Sequence, residues 1–459
     1  MADWLPMLGL IRGRDPRLPP GPGLPRALQT FGWVKRPMAY MEQCRERYGD
    51  MYTMRIANEG DWVVISDPAL VKQVFTGSPE VFHAGEGNQI LLPLLGSNSV
   101  LLLDEKPHLR QRKLLLPPFH GDRMQAYGAL MDEVAREALR DWPRDEPFDL
   151  IGRMQAVTLE VILKAVFGLT EGPRFDAMRR ELRILLGKAM SPVTMSFLFA
   201  FGPKRASEMR FFQREAEPVD RLIAEEIAER REQADLAERT DILSLLLAAR
   251  HEDGSPMDGR ELRDELMTLL VAGHETTATA LSWAIERLVR HPDKLARLRG
   301  EIDAGDDAYL DAVVTETLRV RPVLSVVVRL LTEDVELGGY TLPAGTRVVP
   351  AIHLVHRRPD IYPDPRAFRP ERFLDSKPGT YTWFPFGGGV RRCLGASFAI
   401  FEMKQVLRAI VSELDLEPAA AAPEPAKRRA ITLVPSGGAR IVARRRVLDR
   451  GSEPAAVSA

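Results

Sequence analysis

The sequence predicts a mainly α-helical fold with a small β-rich part, and three observations carry that expectation. Helical periodicity dominates from about residue 120 to about 320, with few strand candidates. Strand candidates gather on either side of that region, at Tyr52–Ile56 and Trp62–Ser66 and again between Asp334 and Pro350. One apolar pattern behind Asp258 continues to Val289, roughly 30 residues against an ordinary helix of about 11–12. A β-rich part drawn from both ends of the chain, packed on a larger helical part, satisfies all three.

In chain order, residues 1–25 form a Pro-rich lead-in, because Pro19-Pro20-Gly21-Pro22-Gly23-Leu24-Pro25 cannot continue a helix. Tyr52–Ile56 and Trp62–Ser66 flank Ala57-Asn58-Glu59-Gly60-Asp61 as a β-hairpin. Later strands are expected at Asp334–Leu337, Thr341–Leu342 and Thr346–Pro350, punctuated by Gly338-Gly339 and Pro343-Ala344-Gly345. Residues 417–426 read as a surface loop and 447–459 as a loose tail, leaving 26–446 as one domain without a solenoid repeat.

Composition narrows the function classes. With 63 Lys+Arg against 64 Asp+Glu, the net charge of −1 gives no whole-molecule attraction for nucleic acid. Two cysteines, Cys44 and Cys393, cannot form a disulfide framework, an all-cysteine zinc site or an all-cysteine iron–sulfur cluster. The longest apolar-rich stretch, Ile90–Leu103, is interrupted at Gly96-Ser97-Asn98-Ser99 and falls short of the roughly 20 residues a bilayer needs. Trp4–Ile11 has no basic region before it and no small-residue cleavage site after it, so a cytoplasmic location is expected.

The long helix opens on Asp258 and Glu261, which have capping-box spacing. Its middle, Gly273-His274-Glu275-Thr276-Thr277-Ala278-Thr279, is a poor helix former among good ones. Such local conflicts concentrate at functional sites, although threonines bonding back to the preceding turn would also account for it.

Residues 384–395, Phe-Pro-Phe-Gly-Gly-Gly-Val-Arg-Arg-Cys-Leu-Gly, set four glycines around one cysteine ahead of a helix-compatible run, Ala396–Leu407. Glycines admit close backbone approach, and a thiolate before a helix N-terminus gains from the dipole. The pattern Phe386-x-x-Gly389-x-Arg391-x-Cys393-x-Gly395 resembles the haem-ligand signature of the cytochrome P450 monooxygenases. The resemblance extends over roughly residues 19–446. It implies the fold of that family, with haem between the long central helix and the cysteine-loop helix, and Cys393 as the axial metal ligand.

By the same resemblance, Ala272-Gly273-His274-Glu275-Thr276-Thr277 is similar to the family's oxygen-activation segment. Ala272 would lie against haem, and Glu275 and Thr276 would act as acid and hydroxyl in proton delivery. His108 and Arg112 resemble the family's propionate-contacting pair, with Arg329 and Arg391 as further propionate arginines, and Phe386 and Gly395 as part of the haem cradle. Glu316-Thr-Leu-Arg319 and Pro370-Glu371-Arg372-Phe373 imply a buried Glu316–Arg319–Arg372 network supporting the cysteine loop.

Other patterns carry no site. His274-Glu275-x-x-Ala278 lacks the second histidine of a zinc protease, and Gly85-Glu-Gly87 lacks the third glycine of a dinucleotide loop. His353 and His356 have metal-ligand spacing but are assigned to surface or core, and Cys44 to a buried helix position.

The resemblance implies insertion of one oxygen atom from O2 into an apolar small molecule, such as a terpenoid, steroid or fatty-acid-like compound, by a monomer containing heme b. The segments Phe82–Leu103, Met190–Phe201, Met267–Ala272 and Val323–Val328 would line the substrate pocket. Electrons would come from NAD(P)H through a separate ferredoxin or flavodoxin-like protein and its reductase, docking near Arg110, Lys113, Arg392 and Lys404. Two alternatives stand beside this reading. One is a peroxide-driven peroxygenase, and the other is a non-catalytic haem-binding sensor or carrier.

Overall fold

The computed structural model describes residues 15–119, 123–236 and 238–446. Residues 1–14 of the lead-in and the expected tail at 447–459 lie outside the described residues. The central helix runs from Gly259 to Val289, 31 residues, and is buried on all sides along most of its length. It begins as the spacing predicts. The Asp258 carboxylate accepts from the N–H groups of Arg260 and Glu261 (2.7 and 2.8 Å), and Glu261 accepts from the N–H of Asp258 (2.8 Å). The polar middle does not interrupt the helix, so the break is chemical rather than conformational.

Around it pack the helices Leu150–Phe167, Ala308–Val320 and Ala396–Glu413, which share one apolar core containing Val157, Leu266, Leu281, Leu310, Phe398 and Val406. Burying each such side chain contributes about 1.5–3 kcal/mol, which is why a helix with a polar centre can run through the interior.

The main sheet has five strands. Met51–Ile56 pairs antiparallel with Gly60–Ile65, the second strand starting two residues and ending one residue earlier than the sequence suggests. Arg347–Pro350 joins in parallel to Gly60–Ile65, then Arg329–Leu331 and Phe82–His83 follow antiparallel. The run Trp62–Ile65 is buried without alternation because both faces are covered. Val64 meets Trp33, Met41 and Cys44 on one side, and Val63 and Ile65 meet Val71 and Phe75 on the other. Val335–Leu337 and Tyr340–Leu342 make a separate hairpin. The expected loop at 417–426 is shorter than its range. Leu414–Pro418 pairs with Ile441–Arg445, and Ala426–Arg429 pairs with Thr432–Pro435. Those residues bond to strands that come later in the chain, which local composition could not reveal.

Candidate functional site

The cysteine loop is anchored before its cysteine is reached. The N–H of Phe384 donates to His356 Nε2 (3.0 Å), and Trp383 Nε1 donates to the carbonyl of Thr315 (3.1 Å). The glycines then lay bare backbone on the helix Pro68–Thr76. A Cβ on Gly388 would sit 2.2 Å from the Phe75 ring, and one on Gly389 would sit 2.1 Å from the Phe75 carbonyl oxygen. Gly389 also has φ 65°, a conformation that favours glycine. The Cys393 N–H donates to the Phe386 carbonyl (3.0 Å), turning the chain into the helix Ala396–Glu413.

Cys393 lies deep among protein atoms yet its side chain is exposed, so the sulfur faces a cleft instead of packing. Burial pushes its thiol up, opposed by the Gly395 N–H and by the charges of Arg112 and Arg392. A coordinated metal ion would reverse that balance, since coordination deprotonates a thiol outright.

Beside the cysteine, four basic side chains gather. His108 is buried and its Nδ1 has no hydrogen-bond partner. Burial, together with Arg391, Arg112 and Arg329, pushes its imidazole down to about 3, so it is neutral at physiological pH. Arg329 is buried, stands over the Phe75 ring and, among the described residues, donates only to the carbonyl of its neighbour Val328 (2.8 Å). Burial and the nearby Arg391 lower it to about 10. Arg112 forms no ion pair among the described residues, and burial likewise lowers it. Arg391 differs: it bonds the Asp104 carboxylate and the carbonyls of Leu103 and Val100. Asp104 accepts in turn from the N–H groups of Ala84, Gly85 and Glu86 (2.9, 2.9 and 3.0 Å). A buried arginine, a half-buried one and an orphaned histidine nitrogen beside an open cysteine are the donor set that two ligand carboxylates and one soft metal would satisfy. The residues present therefore fit haem. Cys393 would hold the iron, and His108, Arg112 and Arg329 would hold the propionates.

The central helix supplies a second open surface. Ala272 is exposed and Gly273 and Thr276 are half-buried, although the turns before and after them are buried. Thr276 Oγ1 donates to the Ala272 carbonyl (2.6 Å). Glu275 is only 5% exposed, less solvent-linked than a relay acid reaching the surface directly would be. It accepts from Gln155 Nε2 (2.7 Å) and pairs with Arg429 (3.3 Å). Burial raises its carboxyl, against the pull of Arg429 and Gln155. His274 stands 3.0 Å from Thr158 Oγ1, and burial lowers it to about 4.

Glu316 and Arg319 are fully buried and joined by two bonds (2.6 and 2.8 Å), with Arg372 on the same carboxylate (3.2 Å). Arg319 also donates to the carbonyls of His356, Pro365 and Ala367, which lead into the cysteine loop. His356 is thus a core residue that anchors Phe384, and His353 is buried against Glu42 (2.9 Å). His356 and Asp104 both hold the site; the sequence marks His356 only by a spacing to His353 that does not reveal this role, and nothing local marks Asp104. Among the proposed docking residues, Arg110, Lys113 and Arg392 are exposed, with Lys113 bonded to Glu252 (2.7 Å). Lys404 is not free: Asp307 and Asp311 hold it and its side chain is 15% exposed. An apolar groove lies between Ile90, Leu94, Met190, Leu198, Ala430 and Ile431.

A buried core helix with an open polar turn, set against a glycine-cradled cysteine flanked by arginines, defines a haem-thiolate class of protein. The cytochrome P450 family profile matches residues 18–441, and the chain belongs to that family. Cytochrome P450 135B1 of Mycobacterium tuberculosis is 45% identical over 92% of this chain and 91% of its own length. Cytochrome P450 137 of the same organism is 39% identical over 92% of this chain and 90% of its own. The solved structure of retinoic acid-bound cyanobacterial CYP120A1 superposes with a TM-score of 0.80 at 26% identity, covering 94% of this chain and 100% of that one. The protein is therefore an oxidoreductase of the monooxygenase type whose cofactor is haem. Among the described residues no helix is long and apolar enough to cross a membrane.

Proposed function

We propose that this monooxygenase hydroxylates an apolar small molecule of terpenoid, steroid or fatty-acid-like character, in the cytoplasm, with electrons from NAD(P)H delivered by a separate ferredoxin or flavodoxin-like protein. The observation that carries the site assignment is the open Cys393 beside Arg112 and Arg329, which pair with no carboxylate among the described residues. Residues 26–446 act as one catalytic domain. When bound, haem supplies activation of dioxygen and the oxidising equivalent for the substrate.

The chain's own residues do the rest. Cys393 donates electron density as thiolate, and the Gly395 N–H and Arg112 temper its charge. Thr276 Oγ1, open to the cleft, holds a water and passes protons inward without itself ionising. Glu275, with a carboxyl raised by burial, takes protons from the outer side and gives them toward Thr276. The apolar groove excludes water and orients the guest by shape rather than charge. A relative whose solved structure carries retinoic acid, a long apolar acid, supports an elongated isoprenoid-like guest.

The test is turnover. Purified holoprotein with a surrogate ferredoxin, its reductase, NADPH and O2 should oxidise members of an apolar compound library that first produce the low- to high-spin shift. Product formed with peroxide alone, and none with the electron chain, would make it a peroxygenase. No oxidation under either condition would leave a sensor or carrier.

A further inference from the structure

The central helix holds its acid on one side and its hydroxyl on another. Thr276 bonds back to Ala272, while the Glu275 carboxylate is held by Gln155 of the helix Leu150–Phe167 and by Arg429. Glu275 Oε1, 3.3 Å from Arg429, makes no hydrogen bond, so that contact is charge pairing which a small displacement weakens.

Arg429 ends the strand Ala426–Arg429, and its cross-strand partner is Thr432. The two residues between them, Ala430 and Ile431, form the whole turn and also line the apolar groove. Ala430 adopts φ 52°, a left-handed conformation that closes a tight turn. A two-residue turn has no slack. What presses on Ala430 and Ile431 must move Arg429, and the acid is at the other end of that side chain.

We propose that Arg429 is a positioning residue that holds Glu275 turned away from Thr276 and ties its release to occupation of the apolar groove by an apolar ligand. This rests on the relay reading of Glu275 and adds its control. Two groups act on Glu275, Arg429 on the hairpin and the neutral Gln155 on the neighbouring helix. His274, beside it on the central helix, is acted on by Arg429 and by Arg183 of the helix Pro173–Ala189. Of the charged groups, Arg429 alone pairs with the carboxylate among the described residues, so it sets the charge there.

The experiment uses full-length, haem-loaded protein and 1-dodecanol as the groove probe. The infrared band of the protonated Glu275 carboxyl, identified by its loss in Glu275→Gln, is followed with pH. In the wild type, 1-dodecanol should raise the midpoint of that band. In Arg429→Gln the midpoint should already be higher by about one unit or more, the effect of removing a cation within 4–6 Å, and should no longer respond to the probe. Arg429→Lys should restore the response. A midpoint in Arg429→Gln equal to the wild type, or one that still follows 1-dodecanol, overturns the tether. The relay reading fails separately, if Glu275→Gln leaves the division of electrons between product and peroxide unchanged.

Discussion

Replacing Glu316 by alanine should destabilise the protein through one identifiable group, Arg319. That side chain is fully buried and spends Nε and Nη2 on the Glu316 carboxylate, while its remaining donors go to the carbonyls of His356, Pro365 and Ala367. The same carboxylate accepts from the Arg369 N–H (2.8 Å) and from Arg372 Nε (3.2 Å). Removing one partner of a buried ion pair costs about 3–5 kcal/mol, because the other charge stays behind without its partner. An orphaned N–H at Arg369 adds about 1–3 kcal/mol, less whatever the carbonyls around Arg319 recover. A loss of about 4–6 kcal/mol is a large part of the roughly 5–15 kcal/mol that holds a native protein. Glu316→Gln keeps an acceptor in place and should lose clearly less. Urea unfolding followed by circular dichroism would read the difference as a lower midpoint at constant slope, with haem content measured in parallel. An alanine variant within about 1 kcal/mol of the wild type, with full haem content, would refute the argument that this carboxylate is what supports the cysteine loop.

Thr276→Ala should still consume reductant and O2 but send more electrons to peroxide and fewer to product, read as product per NADPH; an unchanged ratio contradicts the relay. His356 is held at about 3 by burial and by Arg319, below its ordinary 6.5. Its contribution to stability is therefore complete above pH 6.5 and is lost as pH falls toward 3, by about 1.4 kcal/mol per pH unit. In His356→Gln, stability measured between pH 6 and 4 should fall less steeply, by about one proton's worth; an identical slope means this imidazole is not buried neutral. Reversing Lys113 and Arg392 to Glu should slow first-electron transfer from an acidic donor, with substrate binding intact, and the effect should fade as salt is added. A rate indifferent to both changes places the docking face elsewhere.

What could be read before the fold was known is what lies close in sequence. The capping box at Asp258, the hairpin Met51–Ile65 and the glycines around Cys393 each declare themselves within a short stretch of chain. The Glu316–Arg319 pair is one helical turn, and Arg372 came only with the family pattern. The groups that hold the site from a distance were silent. His356 matters because it accepts from Phe384, Asp104 because it accepts from three N–H groups at 84–86, and Arg429 because a hairpin near the C-terminus folds over Glu275. Glu402 is similar: it is buried on the cysteine-loop helix, its carboxyl raised by burial against the lowering influence of Thr277 on the central helix. Lys404 is the opposite case. Its charge suggested a docking surface, but Asp307 and Asp311, on and before the helix Ala308–Val320, neutralise it. Charge can be counted along a chain, whereas pairing across helices cannot.

The central claim is that Cys393 ligates haem iron as a thiolate, and the carbon monoxide difference spectrum of reduced holoprotein tests it most directly. The wild type should give the strongly red-shifted Soret band of thiolate ligation, and Cys393→His should lose that band while still binding haem. A wild-type spectrum like that of a histidine-ligated globin would contradict the assignment.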